Sequence, residues 1–481
     1  MRRASSAFDF DVAIIGGGSG GYAAARTTSA AGLKTVVIEG GEEVGGLCIL
    51  RGCMPTKALL YAAEVGHLAR RAATWGVRAS DVAFDFAAVM ARKRRLVDDF
   101  AGHRAQQLRE GKFEFIRAQA RFTDPHTLVL SNGATLTAGG FVISSGSIVS
   151  PPPLPQLANL GCLTSDTALT LTQPPKSLIV LGGGPIAVEF AQFFARCDVR
   201  VTLIQRGAHL LKSFDTDASA ALEKVLAREG IELFTGTKLL EARREGAEKV
   251  VGFEHQGQRR QARAEDILFA LGRSPNTASL DLRQAGVATE RGRITTNARL
   301  QTSAAHIYAA GDCTGPYEIV HIAIQQGEIA GHNLSHPERP RGIDYRLLLS
   351  VVFTEPQVAT VGLTEQEARA RGIEYHAASY PFNDHGKSMI MEALDGFVKL
   401  LCHPQTGEIL GGGCVGPVGG ELIHPIVIAM AKRMTVQELA ATPHYHPTLA
   451  EIWTYPSEEL AAMIGPSEGG QFFRTTPGAG T

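Results

Sequence analysis

The chain has 481 residues, of which 44% are hydrophobic and 20% charged, the balance of a soluble globular protein. That length is too great for one ordinary hydrophobic core and predicts about three domains. With 47 basic against 48 acidic residues the formal net charge is -1, which excludes a general affinity for nucleic acid or an anionic membrane. The long uncharged stretch from Pro125 to Ser165 is broken by Gly, Ser and the run Pro151-Pro152-Pro153, so it is not a membrane helix. The opening MRRASSAFDFD has two arginines but no apolar segment before its acidic residues, so it does not read as a secretory signal. Seven cysteines, neither dense nor even in number, argue against a disulfide scaffold. They fit a reducing compartment, so a cytoplasmic protein is expected.

The first clear element is the apolar run Val12-Ala13-Ile14-Ile15, a short buried strand. It runs into Gly16-Gly17-Gly18-Ser19-Gly20-Gly21, then an Ala-rich helical stretch, then a second buried strand, Thr35 to Glu39. The same order returns at Ser177–Leu181, Gly182-Gly183-Gly184-Pro185, a helix, and Val201–Gln205. The repeats align without a gap: Gly16 on Gly182, Gly18 on Gly184, Gly21 on Ala187, Glu39 on Gln205. Two dinucleotide-binding domains of one type are implied. Further on, Phe397–Leu401 reads as a strand and Glu408-Ile409-Leu410 as the start of another, joined by the turn Pro404-Gln405-Thr406-Gly407. The expected fold is α/β: two Rossmann-like domains followed by an α+β domain.

A helix N-terminus offers unpaired N–H groups to a pyrophosphate if no side chain blocks the approach, and Gly16, Gly18 and Gly21 leave that approach open. Glu39, ending the second strand, is placed to accept from ribose hydroxyls. In the second repeat Gln205 replaces the acid, Arg206 follows and Lys212 lies nearby. Losing the carboxylate removes a repulsion against a 2′-phosphate, and an arginine can hold one. NADPH is therefore expected, with NADH as the alternative.

Cys48 and Cys53, five apart in Gly45-Gly46-Leu47-Cys48-Ile49-Leu50-Arg51-Gly52-Cys53-Met54-Pro55-Thr56-Lys57, stand near the expected start of a helix whose end favours thiolate. Zinc needs about four ligands, and no second pair at suitable spacing accompanies these two, so no metal is expected. A structural disulfide does not suit a reducing compartment. A redox-active pair remains.

From Asp11 to about Tyr455 these residues resemble the FAD-dependent pyridine nucleotide–disulfide oxidoreductases, the family of dihydrolipoyl dehydrogenase, glutathione reductase and mercuric reductase. Carrying the resemblance are both glycine motifs, the Cys48–Cys53 segment, Ala270-Leu271-Gly272-Arg273, Gly311-Asp312 and His444-Tyr445-His446-Pro447-Thr448-Leu449-Ala450-Glu451. The resemblance implies an FAD-binding domain in two parts, 9–150 and 272–344. Between them lies an NAD(P)-binding domain, 151–271, and after them a dimerisation domain, 345–465, and a mobile tail, 466–481. It implies that Gly16, Gly18, Gly21, Glu39 and Asp312 serve FAD, that Gly272 is a further cofactor-binding residue, and that Lys57 sits by the flavin, paired with Glu189. Gly182, Gly184, Ala187, Arg206 and Lys212 would serve the nicotinamide nucleotide. It also implies that His446, oriented by Glu451, acts as general acid–base on the cysteines of the other subunit of a homodimer, with Cys53 on the flavin side and Cys48 attacking the substrate.

The implied enzyme passes electrons between NAD(P)H, FAD, the cysteine pair and a small disulfide or dithiol, most like dihydrolipoyl dehydrogenase. Arg26 falls at a glutathione-binding arginine of glutathione reductase, but Glu328 stands at the other, and a carboxylate there repels glutathione. No cysteine follows Cys414, which puts mercury in doubt. The alternatives are an NADPH-dependent mercuric- or glutathione-reductase-like enzyme and a redox-sensing flavoprotein with little turnover.

Overall fold

The computed structural model describes residues 7–315 and 317–464; the stretch 466–481 lies outside the described residues. The chain clusters into two compact units. One runs to Pro174 and resumes over Leu271–Ile343; the other is Pro175–Ala270 together with the chain from Asp344 on. Residues 151–174 thus cluster with the part that precedes them. No helix among the described residues is long and apolar enough to cross a membrane.

In the first unit, β1 (Phe10–Ile15), α1 (Ser19–Ala30) and β2 (Thr35–Glu39) form the expected βαβ unit. Both strands are almost wholly buried: helical Ala24, Leu108 and Ala330 pack on one face of the sheet, and Phe122, Leu128 and Leu130 with Leu280, Leu282 and Ala285 pack on the other. Next come the short helix α2 (Gly46–Leu50), α3 (Cys53–Arg70) and α4 (Phe86–Arg109), whose N-cap Asp85 accepts from the Ala88 N–H at 2.9 Å. The chain then forms β3 (Glu114–Arg117), β4 (Ala120–Asp124), β5 (Thr127–Leu130) and β6 (Thr135–Ile143). The strand order is β3-β2-β1-β6-β5-β4. The nine residues of β6 serve two ladders: the C-terminal part runs parallel to β1, and the N-terminal part runs antiparallel to β5. Ile307–Ala309 adds in parallel on the other side of β6, which brings Gly311-Asp312 to the C-terminal end of that sheet. Ligands of open α/β sheets bind at that end.

In the second unit the strands Glu232–Phe234, Arg200–Ile204, Ser177–Leu181 and Asp266–Phe269 run parallel in that order, with an antiparallel meander over Thr237–Ala264. The region after Asp344 forms a five-stranded antiparallel sheet in which Phe397–Cys402 pairs with Ile409–Gly416, the hairpin the turn residues predict. Fully buried Trp453 packs on it and donates its indole N–H to the Leu422 carbonyl at 2.8 Å.

Lys399 ties the two stretches of this unit together. Its buried ammonium lies 3.2 Å from Asp215, 2.5 Å from Asp217 and 2.8 Å from Glu365. Burial alone would lower its pKa, but the pairs with Asp217 and Glu365 outweigh it and the shift is upward. Removing the cation would leave three carboxylates facing one another. Lys399→Met is expected to destabilise the protein by about 3–5 kcal/mol, read as a lowered midpoint in urea unfolding.

Candidate active site

The cysteine segment is shaped by two close approaches. A Cβ on Gly46, at φ +75°, would stand 2.7 Å from the Cα of Gly18, so only glycine lets α2 start against the N-terminus of α1. A Cβ on Gly52 would lie 3.0 Å from the Leu47 carbonyl oxygen and 3.1 Å from the Cα of Cys48. Glycine there lets the chain fold back after α2, placing Cys48, inside α2, beside Cys53, the first residue of α3. The structure therefore assigns the two cysteines to different helices.

Both cysteines are half-buried and free of disulfide bonds. The Cys48 pKa is pushed well above the usual thiol range, first by its side-chain hydrogen bond with Cys53, then by burial and by the charge of Cys53. Lys57, one turn along α3 from Cys53, pulls the other way and is outweighed. For Cys48 the direction is opposite to the thiolate that a helix end favours: its neighbour, not the helix, decides. Arg104 of α4 lies within electrostatic reach of Cys48 and stacks over Tyr22 at 4.4 Å from the ring centre.

Both glycine turns lead into helices whose N-caps, Gly18 and Gly184, carry no side-chain cap. The N–H groups that open each helix, from Ile186 onward in the second because Pro185 has none, are thus left for a phosphate, and the residues fit a dinucleotide at either place. Gly16 and Gly182 open the two turns with the same left-handed backbone, φ +104° and +122°. Gly21, and Ala187 in the second repeat, lie buried within the helices that follow. The Glu39 carboxylate accepts from the Gly17 N–H at 2.8 Å and the Gly41 N–H at 2.7 Å, each oxygen keeping a further acceptor site. Gln205 instead accepts from the Arg206 N–H at 3.0 Å, and the side chains of Arg206 and Lys212 are exposed.

Ser147 joins two motifs that lie far apart in the chain, and nothing in the sequence singled it out. Its hydroxyl donates to Asp312 Oδ2 at 2.7 Å and accepts from Arg273 Nε at 2.9 Å, while Arg273 Nη2 donates to its carbonyl at 3.0 Å. Gly272, at φ +111°, accepts at its carbonyl from the Ser150 N–H at 3.1 Å. In the other unit Glu189 is buried and accepts from the Phe353 N–H at 2.9 Å.

His446 Nδ1 faces Glu451, 2.9 Å from Oε2 and 3.2 Å from Oε1. The carboxylate belongs to a residue only 8% exposed, whereas the His446 side chain is 78% exposed. With Nδ1–H turned to the carboxylate, Nε2 is the nitrogen presented outward to take or give a proton. His444 instead engages the Thr442 carbonyl at 2.8 Å. Behind Glu451 stands His385, fully buried, with Nε2 3.4 Å from Oε1. A lone histidine after Asp384 carries no local signal of this neighbourhood. Among the described residues no group of three or more His, Cys, Asp or Glu could hold a metal ion.

Residues 10–327 match the family model of the pyridine nucleotide-disulphide oxidoreductases, and residues 348–456 match the dimerisation domain of the same family. The chain is 34% identical over 445 residues to a mercuric reductase of Staphylococcus aureus, covering 92% of this chain and 81% of that protein. It is 36% identical over 447 residues to a dihydrolipoyl dehydrogenase of Thermus scotoductus, covering 92% and 95%. Among solved structures it resembles the HOCl-induced flavoprotein disulfide reductase RclA of Escherichia coli, with a TM-score of 0.83 at 26% identity over 93% of this chain and 99% of that one. It also resembles LpdA of Mycobacterium tuberculosis, with a TM-score of 0.84 at 28% identity over 93% and 99%. The chain belongs to the pyridine nucleotide-disulphide oxidoreductases and is an FAD-dependent NAD(P)H:disulfide oxidoreductase.

Proposed function

We propose that this enzyme reduces a small disulfide with NADPH through a redox-active Cys48–Cys53 pair, most like a dihydrolipoyl dehydrogenase run towards the dithiol. The observation that carries the reading is the pairing of Cys48 with Cys53 across the break between two helices, together with a histidine whose outward nitrogen is set by a buried carboxylate. A thiol that holds its proton needs a base, and His446 is suited to take it. Bound FAD supplies the two-electron relay between the nicotinamide and the cysteine pair.

The chain's own steps then balance. Cys48 sulfur, its proton passed to His446, attacks one sulfur of the substrate disulfide. The substrate S–S bond breaks, a mixed disulfide forms, and His446 returns the proton to the departing thiolate. Cys53 attacks the Cys48 sulfur, closing the Cys48–Cys53 disulfide and releasing the second substrate thiol. The two electrons that reopen the pair come from NADPH. Lys57 is assigned a place beside the flavin. Glu39 and the Ser147-bound Asp312 are assigned to the ribose and ribityl hydroxyls of FAD.

His446 lies in the family's dimerisation region, and we assign it to the cysteines of a second copy. Exposed apolar side chains in that region, among them Met389, Ile390 and Ile428, support a homodimer that covers them. Seven free thiols suit the cytoplasm. Arg26 and Glu328 lie 3.2 Å apart as an ion pair, which ties up the cation a glutathione carboxylate would need and disfavours glutathione as substrate.

Steady-state assays with lipoamide, oxidised glutathione and other disulfides, each with NADH and NADPH, test the reading. Turnover of lipoamide well above that of glutathione is expected. Bound FAD with no reduction of any disulfide would instead favour the redox sensor. Cys53→Ser is expected to remove the long-wavelength absorbance that a thiolate against the flavin gives the reduced protein, whereas Cys48→Ser should keep it. Arg206→Glu is expected to weaken NADPH by about tenfold to a hundredfold and NADH little; equal losses in KM would refute the 2′-phosphate assignment.

A further inference from the structure

Glu451 is held from two sides. On the outer side stands His446. On the inner side His385 projects from the turn between Phe382–Asp384 and the short helix Gly386–Ile390, and is completely buried. His385 Nδ1 lies 2.7 Å from the hydroxyl of Ser388, itself fully buried, and this contact orients the ring. Nε2 is buried with no well-aligned hydrogen bond and stands 3.4 Å from Glu451 Oε1, so a small turn of the ring would direct its N–H at the carboxylate. The other groups around the ring are Tyr455, edge-on at 6.3 Å, Tyr380 stacked on Tyr455 at 3.9 Å, and Asp384, whose carboxylate accepts from the Tyr380 hydroxyl at 3.0 Å.

The tautomer follows from the neighbours. If Ser388 accepted from Nδ1–H, a lone pair on Nε2 would face a carboxylate oxygen. If the Ser388 hydroxyl donates to Nδ1, the proton sits on Nε2 and points at Glu451. Burial pushes the proton affinity of His385 down, against the pull of Glu451, so the ring is neutral and acts as a donor. A buried carboxylate needs such donors, and its other partner is mostly in solvent.

We propose that His385 is a positioning residue for the acid–base couple: a neutral buried imidazole that holds the Glu451 carboxylate under His446 and shares its negative charge. The inference rests on the reading of His446 as the group that exchanges a proton with Cys48. Sharing weakens the pull of Glu451 on a protonated His446. Without the inner donor the carboxylate acts on His446 alone and His446 becomes more basic. A more basic His446 draws the Cys48 proton more readily.

The test is the pH dependence of iodoacetamide alkylation of Cys48 in the NADPH-reduced holoenzyme, with flavin absorbance reporting folding in every variant. His385→Phe is expected to raise the rate at pH 7 by about threefold to tenfold. Ser388→Ala, a smaller change that serves if His385→Phe does not fold, is expected to move it the same way by less. His385→Gln, whose amide N–H can stand where Nε2 stands, is expected to stay within about twofold of wild type. His446→Gln should slow alkylation at pH 7 at least tenfold. If it does, and both His385→Phe and Ser388→Ala react at the wild-type rate or slower, the role of His385 is overturned and that of His446 stands. If His446→Gln reacts like wild type, both are overturned.

Discussion

The hydrogen bond between the Cys48 and Cys53 side chains governs the chemistry of the first unit. Together with burial it raises the Cys48 pKa against the pull of Lys57. A thiol so placed attacks poorly without help, so the proposed reaction calls for a base delivered from elsewhere. The proposed cycle thereby separates storage of reducing equivalents, on one short piece of chain, from control of the proton. Two helices meeting at Gly52 give the sulfurs their proximity, and the packing of Gly46 on Gly18 places them by the dinucleotide turn.

The second unit solves a different problem, that of stationing charge in places with little water. Glu451, Glu189 and Lys399 are all buried, and each has its partners arranged around it: two histidines, the Phe353 N–H, and three carboxylates respectively. A buried ion is tolerated only when such partners are in place, and removal of one partner is costly. The direction in which His446 presents Nε2 is fixed by the carboxylate behind it and not by its own exposed ring.

Much of this was legible before any coordinates. Each glycine turn sits between a β-branched run and an Ala- or Phe-rich helix, so the βαβ units are local patterns, and the hairpin at Pro404–Gly407 announces itself by its turn residues. The His446–Glu451 spacing is also local, five positions in the chain. The break between the helices of Cys48 and Cys53 was not legible, because it depends on how closely the Gly52 backbone approaches Leu47. Nor was Ser147, which becomes meaningful only when the strand Ile307–Ala309 pairs with β6 to bring up Asp312 and Arg273–Pro275 pairs with Ser147–Val149 to bring up Arg273.

The fold class, the two glycine turns and the five-residue spacings of Cys48–Cys53 and His446–Glu451 are already written in the sequence. Those signals reside in short windows where backbone conformation and side-chain chemistry are set by neighbours in the chain. Contacts between distant parts of the chain alone set the upward shift of the Cys48 pKa, the pairing of Arg26 with Glu328 and the place of His385 behind Glu451. Desolvation and Coulomb interactions act through space at a few ångströms. Residues 26 and 328, or 385 and 451, come within that distance only once the chain has folded.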